Sequence, residues 1–193
     1  MENETDILVF MQKFSFATII SSENDLPIAT HLPSLIEKRG DKIFLLSHFA
    51  KANSQWQNLE KVQNLVIFSE PHAYISPRFY EKDLNVPTWN YMAIHAYGKA
   101  RIFTKNEEVL TLLEKLIKTY EENYFEQWQS LPEKYKEGMM AGIVAFEIEV
   151  TDLQAKAKLS QNRSKIEHEN IVKSFEKSED YNEKMIGEYM KQN

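Results

Sequence analysis

Residues 91–103 constrain this chain more than any other stretch, because they alternate without a break over thirteen positions. Tyr91, Ala93, His95, Tyr97, Lys99, Arg101 and Phe103 fall on one face. Met92, Ile94, Ala96, Gly98, Ala100 and Ile102 fall on the other. Side chains of a strand point alternately to its two faces, so this pattern predicts a long strand. Its second face is small and apolar, suited to a packed interior. Its first face carries rings, an imidazole and cations, and is amphipathic.

Shorter runs predict further strands around it. They are FATII (16–20), LPIATHLPSLIEK (26–38), KIFLLSH (42–48), NLVIFSE (64–70), PHAYISP (71–77) and GIVAFEIEV (142–150). Pro27 and Pro33 suit an edge strand or a bulge, since proline cannot donate to a ladder. Arg39-Gly40-Asp41 marks a turn. In 142–150 the pattern sends Val144, Phe146, Ile148 and Val150 inward and Glu147 and Glu149 outward. Val109, Leu112, Leu113, Leu116, Ile117 and Tyr120 follow the helical i, i+3, i+4, i+7 rule, with Thr104 and Glu107 spaced as a capping box. A short helix is expected near 132–140. Ser164 with Glu167 and the Ser178-Glu179-Asp180 cluster predict two more helices at the end. Short strands in close succession with peripheral helices predict a small antiparallel barrel.

Composition bears on partners and compartment. The chain has 193 residues, only 5 Gly and 6 Pro, and no Cys. That predicts one domain over 1–193, with 164–193 as a helical extension, and removes disulfides, thiolate metal sites and cysteine nucleophiles. No apolar run approaches the ~18 residues of a membrane span, and the acidic start MENETD is unlike a secretory signal. A cytoplasmic protein with no membrane partner is expected. Formal net charge is −6; residues 1–153 hold 15 Lys+Arg against 22 Asp+Glu, and residues 154–193 hold 8 against 7. A duplex-DNA binder ordinarily shows a strongly basic face, so the charge does not favour DNA.

Polar and aromatic residues crowd into 29–33, 47–56, 71–91 and 158–163. His31, His48, His72 and His95 lie in or beside these stretches, but their spacing has no local pair of the kind that marks a metal site. Ser47 next to His48, without a nucleophile elbow, makes a poor hydrolase signature. A single axial histidine for haem stays open. A phosphate-bearing aromatic cofactor fits better. Ser47, Lys51 and Asn53 follow a strand and are expected to enter the first turn of a helix ending near Asn58, where free amides suit a phosphate. The competing reading is that Ser47 simply caps that helix. Trp89-Asn90 offers apolar area beside two-way hydrogen bonding, as an isoalloxazine edge requires, although a lone Trp is more often core.

The words FATIISS, ATHLP, SHFAKANSQW, VIFSEPHAYISPRFY, VPTWNY with HAYGKARI, and GIVAFEIEV with KLSQNR run in order from about residue 14 to 165. In them the chain resembles the PaiB-like, FMN-binding negative transcriptional regulators. The resemblance implies a mainly β (α+β) fold, a six-stranded split antiparallel β-barrel with peripheral helices and a helical C-terminus. It also implies a homodimer with FMN between subunits, and leaves DNA as a possible partner. Carried over by position, it puts Thr30 and His31 near the cofactor and Ser47, Lys51 and Asn53 at the flavin phosphate. Trp89, Asn90, His95 and Tyr97 would line the ring and ribityl chain. Lys158, Gln161, Asn162 and Arg163 would reach the flavin from the partner subunit. Arg78 departs from the family's usual residue in its loop. An FMN-dependent oxidoreductase or flavin reductase acting on a small molecule is the alternative function, and a scaffold without cofactor is the third.

Overall fold

The computed structural model describes residues 3–192. In chain order the elements are α1 (Glu4–Lys13), β1 (Phe16–Glu23), β2 (Leu26–Pro33), β3 (Leu35–Arg39), β4 (Lys42–Ala50), β5 (Asn64–Phe68), β6 (His72–Ile75), β7 (Thr88–Ile102), α2 (Asn106–Tyr120), α3 (Phe125–Ser130), α4 (Glu133–Ala141), β8 (Ile143–Lys158), α5 (Lys165–Glu176) and α6 (Tyr181–Lys191). Short 3₁₀ turns at Ser54–Asn58 and Pro77–Phe79 lie in the connections. No described helix is long and apolar enough to cross a membrane. The chain forms two compact units: a sheet unit of residues 8–68 and 95–154, and a tail unit of residues 3–7, 69–94 and 155–192.

The described residues form an eight-stranded sheet in the order β2-β1-β5-β7-β8-β4-β3, with β6 on β7. This corrects the expectation of six strands and a closed barrel. The two end strands of that order, β2 and β3, are consecutive in the chain and separated only by Ser34. The sheet therefore curls until its edges approach at that residue, but no ladder joins them. Pro27 and Pro33 sit in the edge strand, where a missing donor breaks no interior ladder.

In the sheet unit the interior is built from alternate residues of each strand. Ile19, Leu45, Phe49, Val66, Ala96, Phe146 and Ile148 are all at most 1% exposed. Phe49 and Phe146, diagonal neighbours on the paired strands β4 and β8, stack with centroids 5.0 Å apart. Each such ring contributes about 2–3 kcal/mol by leaving water. Gly98 marks the tightest approach: a Cβ there would lie 2.4 Å from the Glu149 carbonyl oxygen and 2.5 Å from the Ile148 side chain. A second cluster, Leu46, Leu112, Leu116 and Ala145, holds α2 against the outer face of the same sheet.

That covered outer face changes two expectations. Glu147, read as an outward residue, is only 7% exposed, because α2 lies over it. Its carboxylate accepts from Arg39 Nη1 at 2.7 Å and Arg101 Nε at 3.0 Å. Glu37 joins the network through Arg39 and Lys115; burial pushes its carboxyl up, but those two hydrogen-bonded cations outweigh it and hold it below its ordinary range. The Thr104–Glu107 capping box does not form. The cap is Lys105, without a side-chain bond, so Glu108 occupies the third helical position and its carboxylate goes to Arg101 at 2.8 Å. Ser164, by contrast, accepts from the Glu167 N–H as expected.

In the tail unit α5 and α6 pack against each other around Ile171, Phe175, Ile186 and Met190, each at most 1% exposed. Phe79 meets Phe175 edge-on at 6.2 Å. The glycines offer a direct test of where the chain is tight. Gly98→Ala is expected to lower unfolding free energy by about 1–3 kcal/mol, since backbone must shift to admit the methyl. Gly138→Ala, in α4 with nothing within 4 Å of its added Cβ, should be neutral or stabilising by up to about 1 kcal/mol. Urea unfolding of both variants checks the pair.

Candidate functional site

The candidate residues divide between the two units, and each set has its own internal logic. In the sheet unit, β4 runs through Ser47 to Ala50, so Ser47 is a strand residue and not part of a helix start. It is 1% exposed and donates to the Pro33 carbonyl at 2.6 Å, closing the chain near the β2–β3 junction. The expected placement of Ser47 in a helical turn, and its reading as a helix cap, both give way to the strand. The cap of the short 3₁₀ turn is Asn53, whose Oδ1 accepts from Gln55 N at 3.0 Å. The N–H of the turn's second residue is thus already taken by the chain itself.

Gln55 is the centre of this set, and the sequence did not single it out. It is 1% exposed, and its Nε2 donates to Ile19 O at 3.1 Å and Ser21 Oγ at 3.0 Å. Its Oε1 accepts from Thr30 Oγ1 at 2.6 Å, and Thr30 accepts in turn from Asn53 Nδ2 at 2.9 Å. A buried amide satisfied on both ends holds β1, β2 and the turn in one arrangement. Thr30 and Asn53 are therefore brought together. Lys51 stands just before them: its N–H donates to Gly142 O at 2.8 Å, and its carbonyl accepts from Trp56 Nε1 at 3.1 Å. Its side chain is exposed, and its ammonium has no partner among the described residues. His31 is exposed with Phe16 stacked 6.4 Å away, and His95 and Tyr97 are half-buried along β7.

In the tail unit the stretch 158–163 takes hold of the stretch 85–90. Lys158 Nζ donates to Thr88 Oγ1. Ser160 Oγ donates to Asn90 Oδ1 at 3.0 Å, and Arg163 Nη1 donates to Asn85 Oδ1 at 2.9 Å while its guanidinium lies 3.7 Å from the Tyr80 ring centre. Asn90 is fully buried, and its Nδ2 faces Met190 Sδ at 3.5 Å. The Gln161 side chain closes its own turn on Leu159 N and Ala157 O, both 2.8 Å away; Asn162 is exposed. Glu167, buried and also unflagged by the sequence beyond its capping role, accepts from Glu81 N at 3.1 Å. Between the residues held in this way, Trp89 projects outward with 53% of its surface exposed. Tyr74 meets it edge-on at 5.8 Å from the paired strand, and His72 lies 6.0 Å away.

What these sets offer chemically is an open cation, Lys51, and an open aromatic face, Trp89, each backed by a fully bonded scaffold. A phosphate needs a charge such as the one in the sheet unit, and a flat heterocycle needs an aromatic face such as the one in the tail unit. Ser47 Oγ, both ends of the Asn90 and Gln161 amides, and Arg163 Nη1 are engaged within the protein.

The sequence matches the family described as "Putative FMN-binding domain" over residues 1–152. It is 41% identical to "Protease synthase and sporulation protein PAI 2" of Bacillus subtilis over 191 residues, 97% of this chain and 91% of that one. An uncharacterized protein of Emericella nidulans is 29% identical over 208 residues, covering 91% and 82%. Among solved structures, the flavocytochrome Anf3 from Azotobacter vinelandii superposes with a TM-score of 0.63 at 13% identity, over 81% of this chain and 68% of that one. An FAD- and heme-binding protein from Mycobacterium smegmatis gives 0.64 at 11%, over 82% and 72%. These likenesses show a shared split-barrel type of fold.

Two consequences can be measured. Trp89→Ala is expected to change stability by less than about 1 kcal/mol. Asn90→Ala should cost about 1–3 kcal/mol by stranding the buried Ser160 hydroxyl; chemical denaturation separates them. His48, half-buried on β4 with a buried and unpartnered Nδ1, has its pKa pushed below the ordinary 6.5 by loss of water. Its neutral form therefore favours the fold above pH of about 6.5, and that contribution is lost as pH falls through the lowered folded value. Between about pH 7 and 5, wild type should lose more stability than His48→Leu.

Proposed function

The chain belongs to the PaiB-like family of FMN-binding regulators, and from that premise we propose that it is a homodimeric, flavin-responsive regulator holding FMN where two copies meet. The observation that carries this reading is Trp89, a large aromatic side chain left open on a strand whose neighbours are all fixed from behind. Leaving such a surface in water forgoes about 2 kcal/mol of burial, a cost that a stacked ligand would recover.

Lys51 would take the phosphate as a point charge, with Thr30 and Asn53 held beside it by Gln55. Trp89 would take the ring, and Tyr74 and His72 would fix its orientation. His31, His95 and Tyr97 are the remaining polar candidates for the ribityl chain and ring edge. When bound, the flavin supplies a reversible two-electron couple, while the protein supplies position and electrostatics. The regulatory output is proposed to run without direct operator contact, since a net charge of −6 repels a phosphate backbone.

A titration with FMN and riboflavin, read by flavin absorbance and tryptophan quenching, tests the assignment. FMN should bind, Lys51→Gln should weaken FMN about tenfold while leaving riboflavin nearly unchanged, and Trp89→Ala should weaken both. Absence of flavin binding would overturn the proposal, as would equal affinity of wild type for FMN and riboflavin. A gel-shift assay at low salt should give no specific complex with DNA.

A further inference from the structure

The tail unit contains a second feature that the flavin reading does not use. A cleft of about 700 Å³ opens between one face of α5, the end of α6 and the turn after β8. That volume lies in the range of small-molecule sites, roughly 300–1,000 Å³. Its charge runs against the rest of the chain. Arg163, Lys165, Lys173 and Lys191 line it against only Glu169 and Glu176, a surplus of two positive charges in a protein of net −6.

The pairing inside the cleft is uneven. Lys191 reaches Glu176 at 2.7 Å and Lys173 reaches Glu169 at 3.5 Å, so both carboxylates are already answered. Arg163 is committed to Asn85 and leans on Glu167 at 3.9 Å. Lys165 and His168 remain; neither side chain has a partner among the described residues, and both line the cleft. They are three positions apart on α5 and so point the same way. Val172, one further turn along and half-buried, shares that face and gives the cleft an apolar edge, while Met190 lies fully buried beneath it.

We propose that this cleft binds a small organic anion, with a phosphate or carboxylate head on Lys165 and His168 and a short apolar body against Val172. The proposal stands independently of where flavin binds. An unpaired lysine and an unpaired imidazole beside an apolar edge distinguish such a site from an ordinary solvated helix face, whose lysines sit among their own carboxylates.

Calorimetric titration of the full chain with phenyl phosphate, benzoate and phenol tests it, with and without saturating FMN. One or both anions should bind and phenol should not; the stronger anion identifies the headgroup. Lys165→Gln with His168→Gln should weaken the anion about tenfold or more while leaving FMN affinity unchanged. Both side chains lie at the surface of α5, and circular dichroism confirms that the variant is folded. Three results would overturn the proposal: no heat with either anion, unaltered affinity in the double variant, or loss of anion binding when FMN saturates the protein. The last would mean that the probe merely occupies the flavin site. Failure of flavin binding would leave the FMN-free titration to decide the cleft by itself.

Discussion

The hold of residues 158–163 on residues 85–90 underlies the tail unit's chemistry. Lys158 bonds Thr88, Ser160 bonds Asn90, and Arg163 bonds Asn85. Thr88 and Asn90 flank Trp89 in the chain, so the strand is tied on both sides of the one residue left outward. A strand turns adjacent side chains to opposite faces, and committing Asn90 inward commits Trp89 outward. The two words that carry most of the family resemblance, VPTWNY and KLSQNR, are therefore halves of one contact. The cations of the second word act first on the first word. Gln161 closes its own turn and Arg163 gives Nη1 to Asn85, so both also serve the protein's own geometry.

The sheet unit repeats the scheme with a different centre. Gln55 is buried, satisfied at both ends of its amide, and spans β1, β2 and the 3₁₀ turn. A buried amide is costly unless every bond is made, so its complete satisfaction makes this corner a single rigid arrangement. Lys51 stands at the entrance of that corner with its backbone bonded on both sides and its ammonium free. Rigid backing behind one open charge is what a phosphate contact requires if it is to cost little ordering.

Much of the fold was legible because periodicity reports burial directly. The small apolar face of 92, 94, 96 and 98 is the buried face of β7, and Leu112 and Leu116 are the buried side of α2. Periodicity does not report what covers an outer face, which is why Glu147 read as solvated although α2 and two arginines enclose it. Nor could it show that the run 26–38 divides at Ser34 into two strands that lie at opposite ends of the sheet order. The site was legible as composition, in four polar and aromatic stretches. Which members face outward was not, since Ser47 and Asn90 are of the same residue types whether they meet a ligand or a backbone carbonyl.

The three tryptophans make the same point with one side chain. Trp128 is 6% exposed and lies under Lys136, its ring consumed by packing. Trp56 is half-buried and spends its N–H on the Lys51 carbonyl, where it stiffens the turn. Trp89 is 53% exposed, and its N–H has no partner among the described residues. In sequence each is a lone aromatic in a polar stretch, and the usual reading of each is core. Only the third keeps both of its recognition elements, the ring face and the donor, available at once. Because its backbone is fixed by bonds that do not involve the indole, nothing in the fold needs that indole to be large. An open ring face and a free donor on a strand fixed from behind are the two features by which a flat heterocycle is recognised.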